Sequence, residues 1–141
     1  MTVFQQEYQV GASKQLVFPL INEACGFLES QDMPSANIET FRLALEELLM
    51  NICYHSGLRE EDLVNVALAF DGNSMRLQVS DSGIAFDPVS ASEPNTSLSV
   101  QERAIGGLGI YLIRKTSSEF LYRREGGKNI VDVRWEMNSA D

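Results

Sequence analysis

Two polar side chains one helical turn apart are the first residues of this chain that could do chemistry. Glu47 and Asn51 are spaced i, i+4, and His55 continues the stripe at i+8, at the border of the apolar face of a predicted helix. A carboxylate placed there can accept a proton or orient a nucleophile. An amide oxygen is a ligand for a hard cation such as Mg²⁺. The alternative is a solvated helix face, which the spacing alone favours.

A second group of polar residues lies where a predicted strand ends. In VSDSGIAFDP, residues 79–88, Asp81 ends the strand and a turn begins at Ser82 and Gly83. The carboxylate can accept a hydrogen bond from the exocyclic amine of a base, and the glycine lets a flat base approach. Phe86 would pack inward and anchor the start of the next loop. The alternative is an Asx turn, in which the Asp81 side chain caps the backbone.

A glycine-rich segment precedes the last predicted helix. In IGGLGIYLI, residues 105–113, the glycines Gly106, Gly107 and Gly109 surround Leu108. Backbone N–H groups at a helix N-terminus attract anions, and glycine lets a phosphate approach the main chain. The segment lacks the Lys and Ser/Thr of a P-loop and is not a full G-x-G-x-x-G. The alternative is a flexible hinge before a helix.

Apolar periodicity predicts the elements that must position these residues. Ser35 is a candidate N-cap, Gly57 a helix stop, and Asp71-Gly72-Asn73 a hairpin turn. The order of elements suggests an α+β two-layer sandwich, with a mixed sheet covered on one face by helices. We predict strands at about 3–10, 63–70, 74–81, 119–125 and 129–137, and helices at about 14–29, 36–55 and 107–116.

Composition restricts the classes of function. With 141 residues, 44% of them apolar, the chain suits one domain, residues 1–141. A net charge of -9 argues against direct nucleic-acid binding. No apolar run approaches the length of a membrane span, and no secretory signal is present, so we expect a cytoplasmic protein. One histidine and two scattered cysteines do not make a zinc site of familiar spacing.

Taken in order, the three polar segments carry a family resemblance over nearly the whole chain. ALEELLMNICYH resembles the N box of the GHKL ATPases, DSGIAFDP their first glycine box and GGLGIYLI their second. Within that superfamily the chain looks most like the anti-sigma-factor serine/threonine kinases. The resemblance implies the Bergerat fold, the fold of histidine-kinase-like ATPases.

The resemblance also implies cofactors and residue roles. It makes Glu47 the general base and Asn51 a ligand of Mg²⁺. It assigns Asp81 to the adenine amino group of ATP, with Gly83 and Phe86 beside it. The glycine segment, Gly106–Gly109, would line the phosphates, and residues of about 87–105 would form the ATP lid.

The implied partners are proteins. The substrate would be a serine or threonine of a STAS-type anti-anti-sigma protein, and a sigma factor would be a second partner. A homodimer through the first strand and helices is also implied. Two alternatives stay open: a non-catalytic switch in which ATP orders the lid, and a stand-alone catalytic domain of the histidine-kinase type.

Four residues bear on how well the pattern fits. Ile52 stands where the family usually has a small residue, which could narrow the pocket. Ser118 replaces a common acidic residue. Arg103 is the single basic residue of the lid, which motivates the switch. His55 often ends the N box, and we expect a structural role for it, hydrogen-bonded near the helix end.

Overall fold

The computed structural model describes residues 3–90 and 107–137. The predicted elements are all present there, and no bound differs from its prediction by more than one residue. None of the helices in these two ranges is long and apolar enough to cross a bilayer. In chain order the elements are β1 Phe4–Gly11, α1 Lys14–Ser30, α2 Ser35–His55, β2 Leu63–Phe70, β3 Ser74–Asp81, α3 Gly107–Thr116, β4 Glu119–Glu125 and β5 Lys128–Glu136.

The five strands form one sheet in the order β1-β2-β3-β5-β4. Every pairing in it is antiparallel, so the expectation of a mixed sheet is wrong in that detail. The α1–α2 pair returns the chain to the end of the sheet from which it left, which makes β2 antiparallel to β1. β3 and β4 do run in the same direction, but β5 lies between them and pairs with both.

The helices cover one face of the sheet, as expected for a two-layer α+β sandwich. Alternate strand residues point into the core, as the buried positions of β3 and β5 show. Each fully buried large apolar side chain stabilises the fold by about 1.5–3 kcal/mol. The largest of them in the described ranges are Phe41, Ile21, Leu28, Leu45, Leu49, Leu68, Met75, Leu77 and Ile113.

Two chain reversals fix the ends of the elements that matter for the site. Gly57 follows α2 with φ 74°, a left-handed conformation that suits glycine and ends the helix. Gly72 has φ 94°, and the Asp71 carboxylate accepts hydrogen bonds from two N–H groups across this hairpin. Both turns agree with the sequence prediction. Ser35 is the first helical residue of α2, and Pro34 occupies the N-cap, so the predicted serine cap is wrong.

Candidate functional site

A narrow cleft opens between the C-terminal half of α2 and the neighbouring ends of β3 and β5. Three residues predicted for the site lie in its wall: Asn51, Asp81 and Phe86. Ile52 lines it as well, so the bulky side chain does reach the space that it was expected to narrow. The remaining lining residues are Leu48, Ser56, Val79, Pro88, Asn129 and Val131.

Asp81 is the last residue of β3 and is only 5% exposed. Its Oδ1 accepts two hydrogen bonds, from the Gly83 N–H at 2.8 Å and from Asn129 Nδ2 at 3.1 Å. Within the described residues, no donor reaches Oδ2. The two interpretations of Asp81 are therefore compatible, because one oxygen closes the Asx turn and the other remains as an acceptor in a cleft wall.

Gly83 packs the turn after β3 against the end of α2. A Cβ at this position would lie 2.5 Å from Ser56 Cβ and 2.7 Å from Ser56 O, so a larger residue does not fit without a shift of the backbone. The next residue, Ile84, donates its N–H to Ser56 O at 3.0 Å. The glycine is thus required by protein packing, whereas the sequence suggested close approach of a base.

Phe86 lies at the border between the cleft and the surface. Its ring stacks on His55, with centroids 4.9 Å apart and planes inclined by 15°. Phe86 is half-buried and His55 is exposed. His55 therefore has a structural contact, as expected, but in the described ranges this contact is a ring stack and not a hydrogen bond.

Asn51 projects from α2 into the cleft and is only 7% exposed. Its Nδ2 atom is buried and has no hydrogen-bond partner among the described residues. Buried amides are nearly always hydrogen-bonded, so an unpartnered one in a cleft wall indicates a place for a ligand. Because the oxygen and nitrogen of the amide are interchangeable by rotation, either can face that ligand.

Glu47 lies one turn before Asn51 on α2 and is half-buried outside the cleft wall. Burial raises the pKa of Glu47 to about 7, and the nearby Asn51 side chain opposes the rise without reaching hydrogen-bond geometry. A Cβ on Gly109 would overlap the Glu47 carboxylate. The first turn of α3 therefore lies directly on this carboxylate.

The glycine-rich segment is described only in part. Gly107 begins α3, Leu108 is 51% exposed, and Gly109 contacts Glu47. Gly106 lies outside the described residues, as do positions 91–105 of the expected lid, including Arg103. The start of that lid is held near α3, since Arg114 Nη2 donates to the carbonyl oxygen of Val89 at 3.1 Å.

Two polar residues of the cleft, Ser56 and Asn129, are not indicated by the sequence patterns. Ser56 caps the end of α2, and its carbonyl oxygen holds the turn after β3. Asn129 pairs with Asp81 across the β3–β5 ladder. Neither belongs to a local motif, and the position of Asn129 follows only from a strand order that the sequence pattern does not specify.

Comparison with solved structures identifies one protein complex that supports this fold. No curated protein sequence matches the chain. The crystal structure of the SiaB–SiaC complex from Pseudomonas aeruginosa is similar in fold, with a TM-score of 0.64 and 14% identity over 96% of this chain and 89% of that one. The histidine kinase AdeS of Acinetobacter baumannii gives a TM-score of 0.49 and 13% identity, over 97% of this chain and 70% of that one.

The match of the sequence to a protein-family model decides which family the chain belongs to. The model described as the histidine kinase-like ATPase domain matches residues 12–135, which include all three segments that carry the resemblance to the GHKL ATPases. That resemblance is confirmed, and so is the Bergerat-type fold. The chain belongs to the family of histidine kinase-like ATPase domains.

Proposed function

We propose that this ATP-binding domain is a protein kinase of the anti-sigma-factor type, which transfers phosphate from Mg-ATP to a serine or threonine of a STAS-type partner. The observation that carries the proposal is the convergence of Asn51 and Asp81 on one cleft, with Glu47 one helical turn away. Phosphoryl transfer requires positioned phosphates, a metal ion and a proton acceptor. Asn51 and Glu47 would serve the last two, and Asp81 would hold the nucleotide by its adenine.

The side chains that line the cleft suit an adenine base. The apolar walls of the cleft, which include Val79 and Val131, offer a flat base a surface to pack against, and Asp81 Oδ2 is an acceptor for the 6-amino group. The phosphates would extend toward Asn51 and the first turn of α3, where Gly107 and Gly109 bring main-chain N–H groups to a helix N-terminus. Gly83, Phe86, Gly106 and Leu108 complete the proposed nucleotide site.

The buried Asn51 amide also fits Mg²⁺. An amide oxygen is a hard ligand, and because the amide nitrogen has no partner among the described residues, the amide can turn its oxygen toward an ion. When bound, the ion neutralises charge on the phosphates and helps to position them. The chain would hold that complex near Glu47 and would keep the adenine in place at Asp81.

Glu47 is the proposed general base. A pKa of about 7 keeps part of the carboxylate ionised at neutral pH and makes the ionised form a competent proton acceptor. The carboxylate takes the proton of the substrate hydroxyl while that oxygen bonds to the γ-phosphorus. The bond from this phosphorus to the bridging oxygen breaks, and ADP leaves with the electron pair.

The partner assignments extend the same proposal. SiaB, whose fold is similar, crystallised in a complex with SiaC, and this supports a role in binding a protein partner. A sigma factor as second partner, a homodimer and a cytoplasmic location follow from the resemblance to anti-sigma-factor kinases. We assign no direct contact with nucleic acid, in keeping with a net charge of -9.

One observation favours a second candidate, a switch that binds ATP without transferring phosphate. Gly109 covers the Glu47 carboxylate, which is therefore not part of the cleft wall. If this arrangement persisted with ATP bound, the base could not reach a substrate hydroxyl. ATP would then act by ordering the chain around the cleft and changing its affinity for a partner.

The test is a transfer assay with Mg-ATP, labelled at the γ-phosphate, and a STAS-type partner, alongside calorimetry of ATP binding. Glu47→Gln should abolish transfer and leave ATP affinity within about threefold of wild type, because the carboxylate does not line the cleft. Glu46→Gln, one position earlier on α2, is the matched control and should retain transfer.

Three other outcomes decide between the candidates. Phosphate transfer that survives in Glu47→Gln contradicts the assignment of Glu47 as the general base. Tight ATP binding by the wild type without any transfer favours the switch. Phosphate that appears on a histidine of a separate protein, and not on serine or threonine, indicates the histidine-kinase type.

A further inference from the structure

The side chain of Asn129 connects three parts of the fold beside the cleft. It is 4% exposed at the start of β5, directly opposite Asp81 in the ladder. Its Nδ2 donates to Asp81 Oδ1 at 3.1 Å and to the carbonyl oxygen of Ile84 at 2.8 Å. Its Oδ1 accepts from the N–H of Phe86 at 3.2 Å and from the Tyr122 hydroxyl at 2.6 Å.

These four bonds use the full capacity of the amide, which has two N–H donors and two acceptor positions. They also fix its orientation, because a flipped amide would direct N–H groups at the N–H of Phe86 and an oxygen at the carbonyl of Ile84. Asn129 therefore has no donor left for a base, although it lines the cleft. Any effect that it has on nucleotide recognition must act through the groups that it holds, and Asp81 is the one among them that offers an acceptor to the base.

Asp81 needs such a support. A carboxylate held by the Gly83 N–H alone could turn about its terminal torsion, which has a broad and shallow energy profile. The second bond, from Asn129 Nδ2 to the same oxygen, restricts that rotation and keeps Oδ2 as the free acceptor. Tyr122, on β4, holds the amide from its other side.

We infer that Asn129, held by Tyr122, is a positioning residue that fixes the Asp81 carboxylate and thereby sets the preference of the site for a base with an exocyclic amine. The inference rests on the proposed binding of ATP in this cleft. Its motivation is the convergence of four hydrogen bonds on one buried amide that contacts the base-reading carboxylate. Asn129 thus controls the selectivity of the site between bases, and not its affinity for the phosphates of the nucleotide.

Calorimetric titration with ATP and with inosine triphosphate tests the inference, since inosine carries a carbonyl oxygen where adenosine carries the amine. Wild type should bind ATP roughly 10- to 100-fold more tightly, because a carboxylate repels the carbonyl and accepts from the amine. In Asn129→Ala, ATP affinity should fall by about tenfold while inosine triphosphate affinity stays within about threefold. Tyr122→Phe, which removes one hydroxyl, should shift the ratio in the same direction by a smaller factor.

Arg124→Gln is the matched control. The Arg124 guanidinium anchors the same turn by donating to the carbonyl oxygen of Gly83 at 2.8 Å, and no hydrogen bond joins it to Asp81 within the described residues. Loss of this anchor should weaken both nucleotides alike and leave their ratio unchanged. Circular dichroism and thermal unfolding establish which variants are folded. If Asn129→Ala does not fold, Tyr122→Phe still tests the inference.

The possible results separate the inference from the proposed function. Equal weakening of both nucleotides in the Asn129 and Tyr122 variants, or no change, overturns the positioning role while ATP binding stands. A wild type that does not discriminate between the two bases also overturns it. A wild type that binds neither nucleotide overturns both the inference and the proposed function.

Discussion

At the level of single residues, the two oxygens of the Asp81 carboxylate have different surroundings. Oδ1 accepts two hydrogen bonds from the protein, and Oδ2 accepts none from the described residues. The residue is therefore asymmetric, with one oxygen that holds the turn and another that is available to a ligand. This asymmetry makes the effect of an amide at position 81 calculable.

Asp81→Asn should invert the base preference of the cleft. The amide oxygen must take the place of Oδ1 to keep the Gly83 and Asn129 bonds, so its NH₂ group faces the base. A donor then meets the amine of ATP, and affinity should fall by about 1.5–3 kcal/mol, the value of a hydrogen bond to a charged group. Inosine triphosphate, with an acceptor at that position, should bind better than ATP to the variant.

Calorimetry with both nucleotides checks the inversion. Ser82→Ala is a suitable control because Ser82 is the exposed neighbour in the same turn. Unchanged ATP affinity in Asp81→Asn would mean that the carboxylate does not read the base.

Glu47 makes stability depend on pH. Burial raises its pKa from 4.5 to about 7, so the folded state binds this proton more tightly than the unfolded chain does. Its contribution to stability is full below the unfolded pKa and is lost as pH rises through the folded pKa. The wild type should therefore lose stability between about pH 4.5 and about pH 7 from this group.

Glu47→Gln removes that loss, since the amide stays neutral. Relative to wild type, the variant should gain about 1–2 kcal/mol of unfolding free energy between about pH 5 and about pH 8, with solvent screening of this half-buried group allowed for. Urea unfolding at both pH values measures the difference. Parallel pH profiles for the two proteins would place the Glu47 carboxylate in solvent.

At the level of elements, the cleft depends on how the end of α2 meets the turn after β3. Gly83 makes this contact with Ser56 at distances that leave no room for a Cβ, and the atoms in the way include a backbone oxygen. Gly26 is exposed within α1, and a Cβ added to it would have no other atom within 4 Å. The two glycines form a matched pair for substitution.

Gly83→Ala should destabilise the fold by about 1–3 kcal/mol, because overpacking forces the turn away from α2. Gly26→Ala should stabilise it by about 1 kcal/mol, the difference in helix propensity between the two residues. Thermal and urea unfolding give both values, and ATP titration shows whether the displaced turn also weakens binding. A stabilising effect of both substitutions would contradict the close contact at Ser56.

The elements themselves could be predicted from the sequence because their signals are local. Apolar periodicity, a glycine after α2 and an Asp-Gly-Asn turn each act over a few residues, and the bounds agree with the structure. The antiparallel pairing of all strands could not be predicted from such signals. It depends on β5 lying between β3 and β4, and that strand order is set by contacts between residues far apart in the sequence. The serine cap failed at short range, because Pro34 takes the N-cap position one residue earlier.

The candidate site was predictable to the same extent. Asn51, Asp81 and Phe86 each belong to a local motif and do meet at one cleft. Asn129 and Ser56 belong to no local motif. Asn129 contacts Asp81, which lies 48 positions earlier in the chain. The contact of Ser56 with Ile84 depends on how the end of α2 meets the turn after β3. Local patterns therefore found the cleft residues that belong to short motifs and missed those whose positions depend on long-range contacts.

At the level of the whole molecule, the cleft lies between the two layers of the sandwich. Asn51 belongs to the helical layer, whereas Asp81 and Val131 belong to the sheet. A nucleotide bound there would contact both layers at once. Its binding free energy would then oppose any local opening that separates them, in addition to stabilising the folded state by mass action.

Hydrogen exchange with and without Mg-ATP tests this coupling. ATP at about 100 times its dissociation constant stabilises the folded state by about 2.7 kcal/mol. Protection of backbone amides from exchange should rise in both layers: at residues 48–56 at the end of α2, at residues 79–81 and 129–131 of the sheet, and at residues 82–86 of the turn after β3. The edge strand β1, Phe4–Gly11, contributes no residue to the cleft and serves as the internal reference for changes in local opening. If the increase were confined to one layer, the nucleotide would rest on that layer alone, and Asn51 and Asp81 could not both be contacting it.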